Sequence, residues 1–459
     1  KQVVQNYRSG DLKLDDVPPP TARAGQLLIS NQASLISVGT EKSMVSMAQK
    51  SLAGKAMERP DLVRRVVDKA KKDGIADTWR MVSTRLDTPV ALGYSCAGVV
   101  LACGADMEGF VAGDRVACAG HSYASHAEMV AVPKNLCVKI PDGLSMEEAA
   151  YVTLGAIAMQ GVRQAEPDLG SVVAVIGLGL LGQITVQLLK ANGCRVVAAD
   201  VVAPRCELAK ELGADEAVSP DKLMDAVSSM TDGHGADMVI ITASTKANGP
   251  VELGGEVARR TGRGVVVGAV GMDLPRPPFY EKELELRLSM SYGPGRYDSD
   301  YEEKGQDYPY GYVRWTERRN MASFLDLVAD GKVNVKRLTT HRFAIEDAEA
   351  AYGMIMEGKE PSLGVLLTYG EEEQSAAPPA RLTLAPRSSG DSTRLAVIGA
   401  GNHVKGSLLP ALQALKSAEL AAVCPDKGVN AKNLAAKGGA AFCTTDSRAI
   451  LADETLEAG

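Results

Sequence analysis

The stretch 171–190, SVVAVIGLGLLGQITVQLLK, decides how the rest of this 459-residue chain is read. A strand of Val, Ala and Ile runs into Gly177-Leu178-Gly179-Leu180-Leu181-Gly182 and then into a helix. A GxGxxG triplet alone is a weak signal. Here it follows a strand, opens a helix, and is succeeded by a second strand, CRVVAAD (194–200), that ends in an acid. Gly177 permits the tight turn, Gly179 lets backbone approach a pyrophosphate, and Gly182 lets the helix pack closely on the sheet. The helix opens at Leu180 and Leu181, where unpaired N–H groups and the helix dipole favour an anion. Asp200, 23 residues after Gly177, is placed to accept hydrogen bonds from the adenosine ribose hydroxyls and to repel a 2′-phosphate, which selects NAD over NADP. Arg205 would soften that choice if it turned inward; otherwise it lies on the surface of the next helix. Ligands bind beyond the carboxyl ends of parallel strands, which adds Thr242, Ala243 and Ser244 after DMVII, and Gly268, Ala269 and Val270 after GVVV.

Outward from this motif, short apolar strands alternate with amphipathic helices over 151–300, the signature of parallel βαβ units in a doubly wound α/β domain. Residues 1–150 differ. Their short apolar runs, broken by Gly, Pro and Asp, predict an irregular antiparallel β domain. Within it, 43–86 reads as a helical insertion, with Leu62, Val66, Val67 and Ala70 at helical spacing. Residues 291–316 hold six of the thirteen tyrosines and one of the two tryptophans. Such a segment is neither core nor simple linker; it predicts a surface Ω-loop or subunit contact, or a lid over a polar substrate. Residues 301–370 are assigned back to the first domain, and 371–393 form a linker rich in Glu, Ala, Pro and Ser. From 394 to 459 a strand, glycine turn and helix start again as a partial second Rossmann domain. Parallel strands with an open side predict either a fragment of a longer protein or a tail that needs a partner.

Composition narrows the function classes. Fifty Lys and Arg stand against 57 Asp and Glu, a net charge of -7 that provides no pull toward nucleic acid or an anionic membrane. No apolar run approaches the roughly 20 residues of a membrane span, and KQVVQNYRSGDLKL lacks a signal-peptide core, so a cytoplasmic location and a small-molecule partner are expected. The eight cysteines contain no CxxC pair and are expected to be reduced and mostly buried.

Four motifs precede the nucleotide turn in order: GYSCAGVV (93–100), GDRVACAG (113–120), HAEMVAVP (126–133) and IPDGLSMEEAAYV (140–152). Over roughly 1–370 the chain resembles the medium-chain dehydrogenase/reductase family. The resemblance implies a GroES-like catalytic domain plus a Rossmann domain, with substrate and nicotinamide meeting between them, and a homo-oligomer. Zinc members carry a cysteine before a Gly-Thr-Asp-like turn, then a His-Glu pair, then a cysteine or acid. This chain has Ser37 near the first place, followed by Gly39, Thr40 and Glu41; Tyr94 and Ser95 at the second; and Thr153 or a close neighbour at the third. A tetrahedral zinc site needs thiolate, imidazole or carboxylate ligands, so no zinc is expected. His121 and His126 are spaced so that they could converge on a metal, but a pocket-lining role for His121 or Tyr123 and a structural role are the competing readings. The stretch AVIGAGNHVKGSLLPAL (396–412) resembles the opening of a Gfo/Idh/MocA-type domain. Gly399 and Gly401 match, Val404 replaces the third glycine, and Asp426 alone is left as a ribose ligand. Together the halves resemble bacterial bi-domain oxidoreductases of surface polysaccharide and sugar metabolism, which implies a carbohydrate substrate.

Without zinc, a side chain or water must handle the hydroxyl proton. Tyr94 is the first candidate, though its ordinary pKa of about 10 calls for a nearby cation. Glu41 is the alternative base and His121 a shuttle. Thr40, Tyr123, Tyr292 and Arg296 are candidate substrate contacts, the last two as a clamp on an anionic or polyhydroxylated molecule. The expected activity is a zinc-independent NAD(H) oxidoreductase. An epimerase or lyase with retained NAD, and a non-catalytic NAD-binding scaffold, are the other two readings.

Overall fold

The computed structural model describes residues 1–456 apart from 59, 371–380, 385–392, 402 and 416. The long strand Gln26–Ser37 organises the first domain because nearly all its side chains are buried. It pairs antiparallel with Ser95–Cys103, Met129–Pro133 and Gly364–Thr368. The resulting sheet runs from Thr339–Ala344 through Gly364–Thr368, Gln26–Ser37, Ser95–Cys103 and Arg115–Ala119 to Cys137–Lys139. Its far end therefore comes from the chain beyond the nucleotide domain. Leu27, Leu35, Cys96 and Val116 are fully covered, and the same core takes in Tyr151, Leu154 and Phe324 from the helices that tie the two domains together. Each Leu or Phe buried in this way stabilises the fold by about 1.5–3 kcal/mol.

The second domain is a six-stranded parallel sheet ordered Glu216–Val218, Arg195–Ala199, Val172–Ile176, Ala236–Ile241, Ala258–Val266, Glu285–Leu288. Val173 and Val175 enter the core on one face, while Val172, Ala174 and Ile176 enter the core on the other. Burial on both faces explains the uninterrupted apolar runs in the sequence. Strand order reverses between Val172–Ile176 and Ala236–Ile241, which opens a crevice at their carboxyl ends. All eight cysteines are free, and all but Cys103 are buried.

Several expectations need correction. The insertion is helical, as Leu52–Glu58, Pro60–Asp73 and Ile75–Leu86. Its apolar stripe, however, is not covered by this chain: Leu62, Val66 and Val67 are 43%, 36% and 46% exposed. Spacing revealed the helix and not its partner. The tyrosine-rich segment is partly core, since Tyr292 and Tyr301 are buried while Tyr297 and Tyr312 are exposed. Within the expected linker, Arg381–Thr383 is a strand antiparallel to Phe442–Thr444, and it extends a sheet that also contains Ala418–Cys424 and Thr393–Ile398. The rest of that linker lies outside the described residues. The C-terminal unit docks on the first domain through Lys432 with Asp15 at 2.6 Å and the Thr445 hydroxyl donating to the Pro19 carbonyl at 2.5 Å. Among the described residues no helix is long and apolar enough to cross a membrane.

Candidate active site

At the crevice, Gly177 has φ +100°, and a Cβ there would lie 2.5 Å from the Ala243 amide nitrogen. A Cβ at Gly182 would come within 1.9 Å of the Gly177 carbonyl oxygen, so helix and turn touch backbone to backbone. Nothing lies within 4 Å of a Cβ built on Gly179, leaving open space where a pyrophosphate would pass. The helix Leu180–Ala191 starts there with Gly179 as its N-cap and no side-chain cap, so its first N–H groups are available to an anion. The Thr242 hydroxyl donates to the Gly177 carbonyl at 2.5 Å, and the Gly268 amide to Ile241 at 2.9 Å, which brings both later strand ends against the turn. Ala243 and Val270 border the same crevice as partly buried side chains against the sheet core.

Asp200 is 7% exposed and accepts from the Leu178 amide at 2.6 Å and the Val202 amide at 2.8 Å. The carboxylate thus braces the turn at the end of the second strand. Arg205 stands 3.7 Å from it, with its side chain 36% exposed. These residues fit a nicotinamide dinucleotide: Gly177, Gly179 and the Leu180 and Leu181 amides for the pyrophosphate, and Asp200 for the ribose.

The places that the sequence resemblance aligns with zinc ligands hold hydroxyls. The Tyr94 phenol feels the Ser37 and Thr40 hydroxyls, both of which pull its pKa down. The Ser95 hydroxyl donates to the Ala150 carbonyl at 2.7 Å and accepts from the Thr153 amide, and the Thr153 hydroxyl donates to the Tyr94 carbonyl at 3.1 Å. With no thiolate, imidazole or carboxylate among them, these residues do not fit zinc. Burial pushes the Tyr94 phenol up to about 12, against the pull of Ser37 and Thr40, and the Glu41 carboxylate pushes the same way. The cation that a Tyr94 base would require is replaced by an anion. Tyr94 therefore stays protonated at neutral pH and is suited to donating, not to abstracting, a proton.

Glu41 is 1% exposed and already saturated. It accepts from the Ser37 amide at 2.9 Å, meets His126 Nε2 at 3.2 Å and accepts from the Tyr352 hydroxyl. His126 Nδ1 bonds the Ser34 hydroxyl at 2.7 Å, which in turn meets the Tyr369 hydroxyl at 2.7 Å. With both ring nitrogens engaged, His126 is a structural residue. This buried network removes Glu41 from the candidate bases. Sequence reasoning missed Ser34, Tyr352 and Tyr369, because the Glu41–Tyr352 contact joins residues 311 apart in the chain.

His121 is half-buried, and desolvation, Arg296 and Lys427 together lower its pKa, so it is neutral at pH 7. Tyr123 donates to Glu303 at 3.3 Å, with Lys427 of the C-terminal unit 5.4 Å from its ring centre. It lines a groove of about 550 Å³ between that unit and the first domain, away from the nucleotide turn. Tyr292 follows the last strand of the parallel sheet and is buried in the core shared by the two domains. Arg296 packs 5.3 Å from its ring centre and pairs with Glu302 at 2.6 Å. Asp426, the one candidate acid of the second nucleotide turn, is paired with Arg23 of the first domain.

Two family models match this chain: the alcohol dehydrogenase GroES-like domain over 70–142 and the zinc-binding dehydrogenase domain over 181–304. D-xylulose reductase A of Aspergillus oryzae is 28% identical over 308 residues, 59% of this chain and 78% of that protein. D-guloside 3-dehydrogenase of Escherichia coli (strain K12) is 27% identical over 274 residues, 57% of this chain and 74% of that protein. Galactitol-1-phosphate dehydrogenase from Escherichia coli shares the fold at a TM-score of 0.61 and 18% identity, covering 80% of this chain and 99% of that one. The ordered motifs, the two domains they build and these matches relate the chain to the oxidoreductases of the medium-chain, zinc-type alcohol dehydrogenase family.

Proposed function

We propose that the chain is a zinc-independent, NAD-dependent oxidoreductase acting on a hydroxyl or carbonyl of a sugar or sugar derivative. The observation that carries the reading is the Tyr94 phenol with the Ser37 and Thr40 hydroxyls acting on it; the sequence resemblance aligns Ser37 and Tyr94 with metal ligands of the family's zinc members. When bound, NADH supplies the hydride. The protein's own residues supply the rest. A protonated Tyr94 donates a hydrogen bond to the substrate carbonyl oxygen and passes its proton as the alkoxide forms, since an alkoxide is the stronger base. The exposed Thr40 hydroxyl, which acts on the Tyr94 phenol, offers the route by which the phenol recovers a proton from water. Asp200 favours NAD over NADP. The sugar class is supported by the xylulose and guloside enzymes among the relatives. The Gfo/Idh/MocA-like second unit and a role in surface polysaccharide metabolism extend the same reading and rest on sequence resemblance.

Metal analysis of purified protein, followed by a 340 nm screen against ketoses, uronic acids and nucleotide sugars, tests it. Stoichiometric NADH consumption with no tightly bound zinc is expected. One zinc per chain held in the 1–370 region would overturn the metal-free reading. Substrate conversion without net change at 340 nm would replace it by transient oxidation with retained cofactor.

A further inference from the structure

The helix Pro60–Asp73 of the insertion carries an apolar stripe that the described residues leave open to solvent, with a basic face behind it. At about 3.6 residues per turn, Leu62, Val63, Val66 and Val67 fall within an arc of about 140°. All four are exposed. Arg64, Arg65, Lys69, Lys71 and Lys72 occupy the opposite arc together with Asp61 and Asp68, and these too are exposed. Gly74, at φ +92°, turns the chain into the helix Ile75–Leu86. There Ile75 and Trp79, one turn apart, are 80% and 62% exposed. Single apolar side chains on a surface need no explanation, but a row of them on one helix face marks a contact surface.

Charge selects what covers it. Residues 52–86 hold nine Lys and Arg against five Asp and Glu, out of 50 and 57 in the whole chain, so a basic insertion stands on a strongly acidic body. The overall charge of -7 predicts no attraction to an anionic surface; this segregation reverses that prediction locally. A second copy of the chain fits poorly. Stripe against stripe would bring two basic insertions together, and insertion against acidic body is a head-to-tail contact that builds rings or filaments. Nucleic acid would neutralise the charged face and leave the stripe in water. A bilayer with acidic headgroups satisfies both faces. The stripe enters the boundary of the acyl chains, while the Arg and Lys side chains lay their aliphatic stems along its edges and reach the phosphates. We propose that Pro60–Asp73 lies in the plane of an anionic membrane surface and anchors the chain there peripherally. Such an anchor needs no spanning helix, and it is independent of the chemistry assigned to the cleft.

The test is co-sedimentation of the full chain with phosphatidylcholine vesicles prepared with and without phosphatidylserine. Phosphatidylserine is expected to tighten binding by about tenfold or more, and added salt to reverse the gain. Val66→Asp combined with Val67→Asp should weaken binding to the acidic vesicles by about tenfold, because it puts charge into the stripe. Lys71→Glu combined with Lys72→Glu should weaken it by a similar factor through the headgroups. All four side chains are exposed, so neither pair disturbs the core, and retained NADH binding at the Gly177 turn checks the fold of both. No binding to the acidic vesicles, equal binding with and without phosphatidylserine, or undiminished binding of the Val66→Asp, Val67→Asp pair would each overturn the anchor. So would a dimer in light scattering that the same pair dissolves, since a second copy would then cover the stripe.

Discussion

At the residue scale, Tyr94 and Asp200 show how one side chain's surroundings set its chemistry. Tyr94 keeps its proton because it is desolvated beside Glu41. Tyr94→Phe is expected to lower kcat by about 10²-fold, the contribution typical of one positioned acid, with NADH affinity unchanged. Steady-state kinetics with a separate NADH titration checks both halves; an unaltered kcat removes Tyr94 from the mechanism. Asp200 braces the nucleotide turn, and Arg205 is 3.7 Å away. Asp200→Ser should free that guanidinium for a phosphate and raise the NADP over NAD ratio of kcat/KM by about tenfold, roughly 1.4 kcal/mol. A ratio unmoved by the change would place cofactor choice elsewhere.

The element that matters most is the segment from Tyr292 to Glu317. Its aromatic residues are not decoration on a surface loop. Arg163 sits 3.2 Å and Arg314 3.8 Å from the Trp315 ring centre, Tyr301 stacks on Tyr308 at 5.2 Å, and the Tyr301 hydroxyl donates to Thr316 at 2.9 Å. Gly295 has φ +108° and a Cβ there would strike the Tyr301 ring at 2.5 Å. Gly295→Ala should therefore cost about 1–3 kcal/mol, visible as a lower urea midpoint at unchanged m-value. Glu317 makes the same element sensitive to pH. Its folded pKa is raised to about 9 from an ordinary 4.5, so between those values the unfolded chain has released a proton that the native chain still holds. Stability from this group is complete below about pH 4.5 and is lost as pH rises toward 9. Glu317→Gln should flatten that decline in Tm between pH 6 and 9; an unchanged slope would show that the carboxyl is solvated and ionised.

Across the whole molecule, the nucleotide domain and the first domain share one core through Tyr151, Leu154 and Phe324, whereas the C-terminal unit meets the first domain through polar contacts. Lys432 with Asp15 and Lys437 with Asp87 are partly exposed ion pairs. Pairs of this kind contribute about 0–1 kcal/mol and weaken with salt. Lys432→Ala combined with Lys437→Ala should leave NADH affinity at the Gly177 turn unaltered while increasing protease cleavage within 371–393. Loss of NADH binding in that double variant would mean that docking supports the dehydrogenase cleft.

The sequence alone determined what is written in contiguous residues: the strand–Gly177–helix turn, the acid that closes the next strand and the order of first-domain motifs. Those features depend on backbone conformations and spacings that a few neighbouring residues impose. Only the tertiary structure decided that Glu41 is consumed by His126 and Tyr352, that Arg205 comes within 3.7 Å of Asp200, that the Leu62–Val67 stripe faces outward, and that the Glu317 carboxyl is buried. A side chain's partners and its loss of water are set by segments hundreds of residues away, and it is that desolvation which separates an available acid from a buried strut.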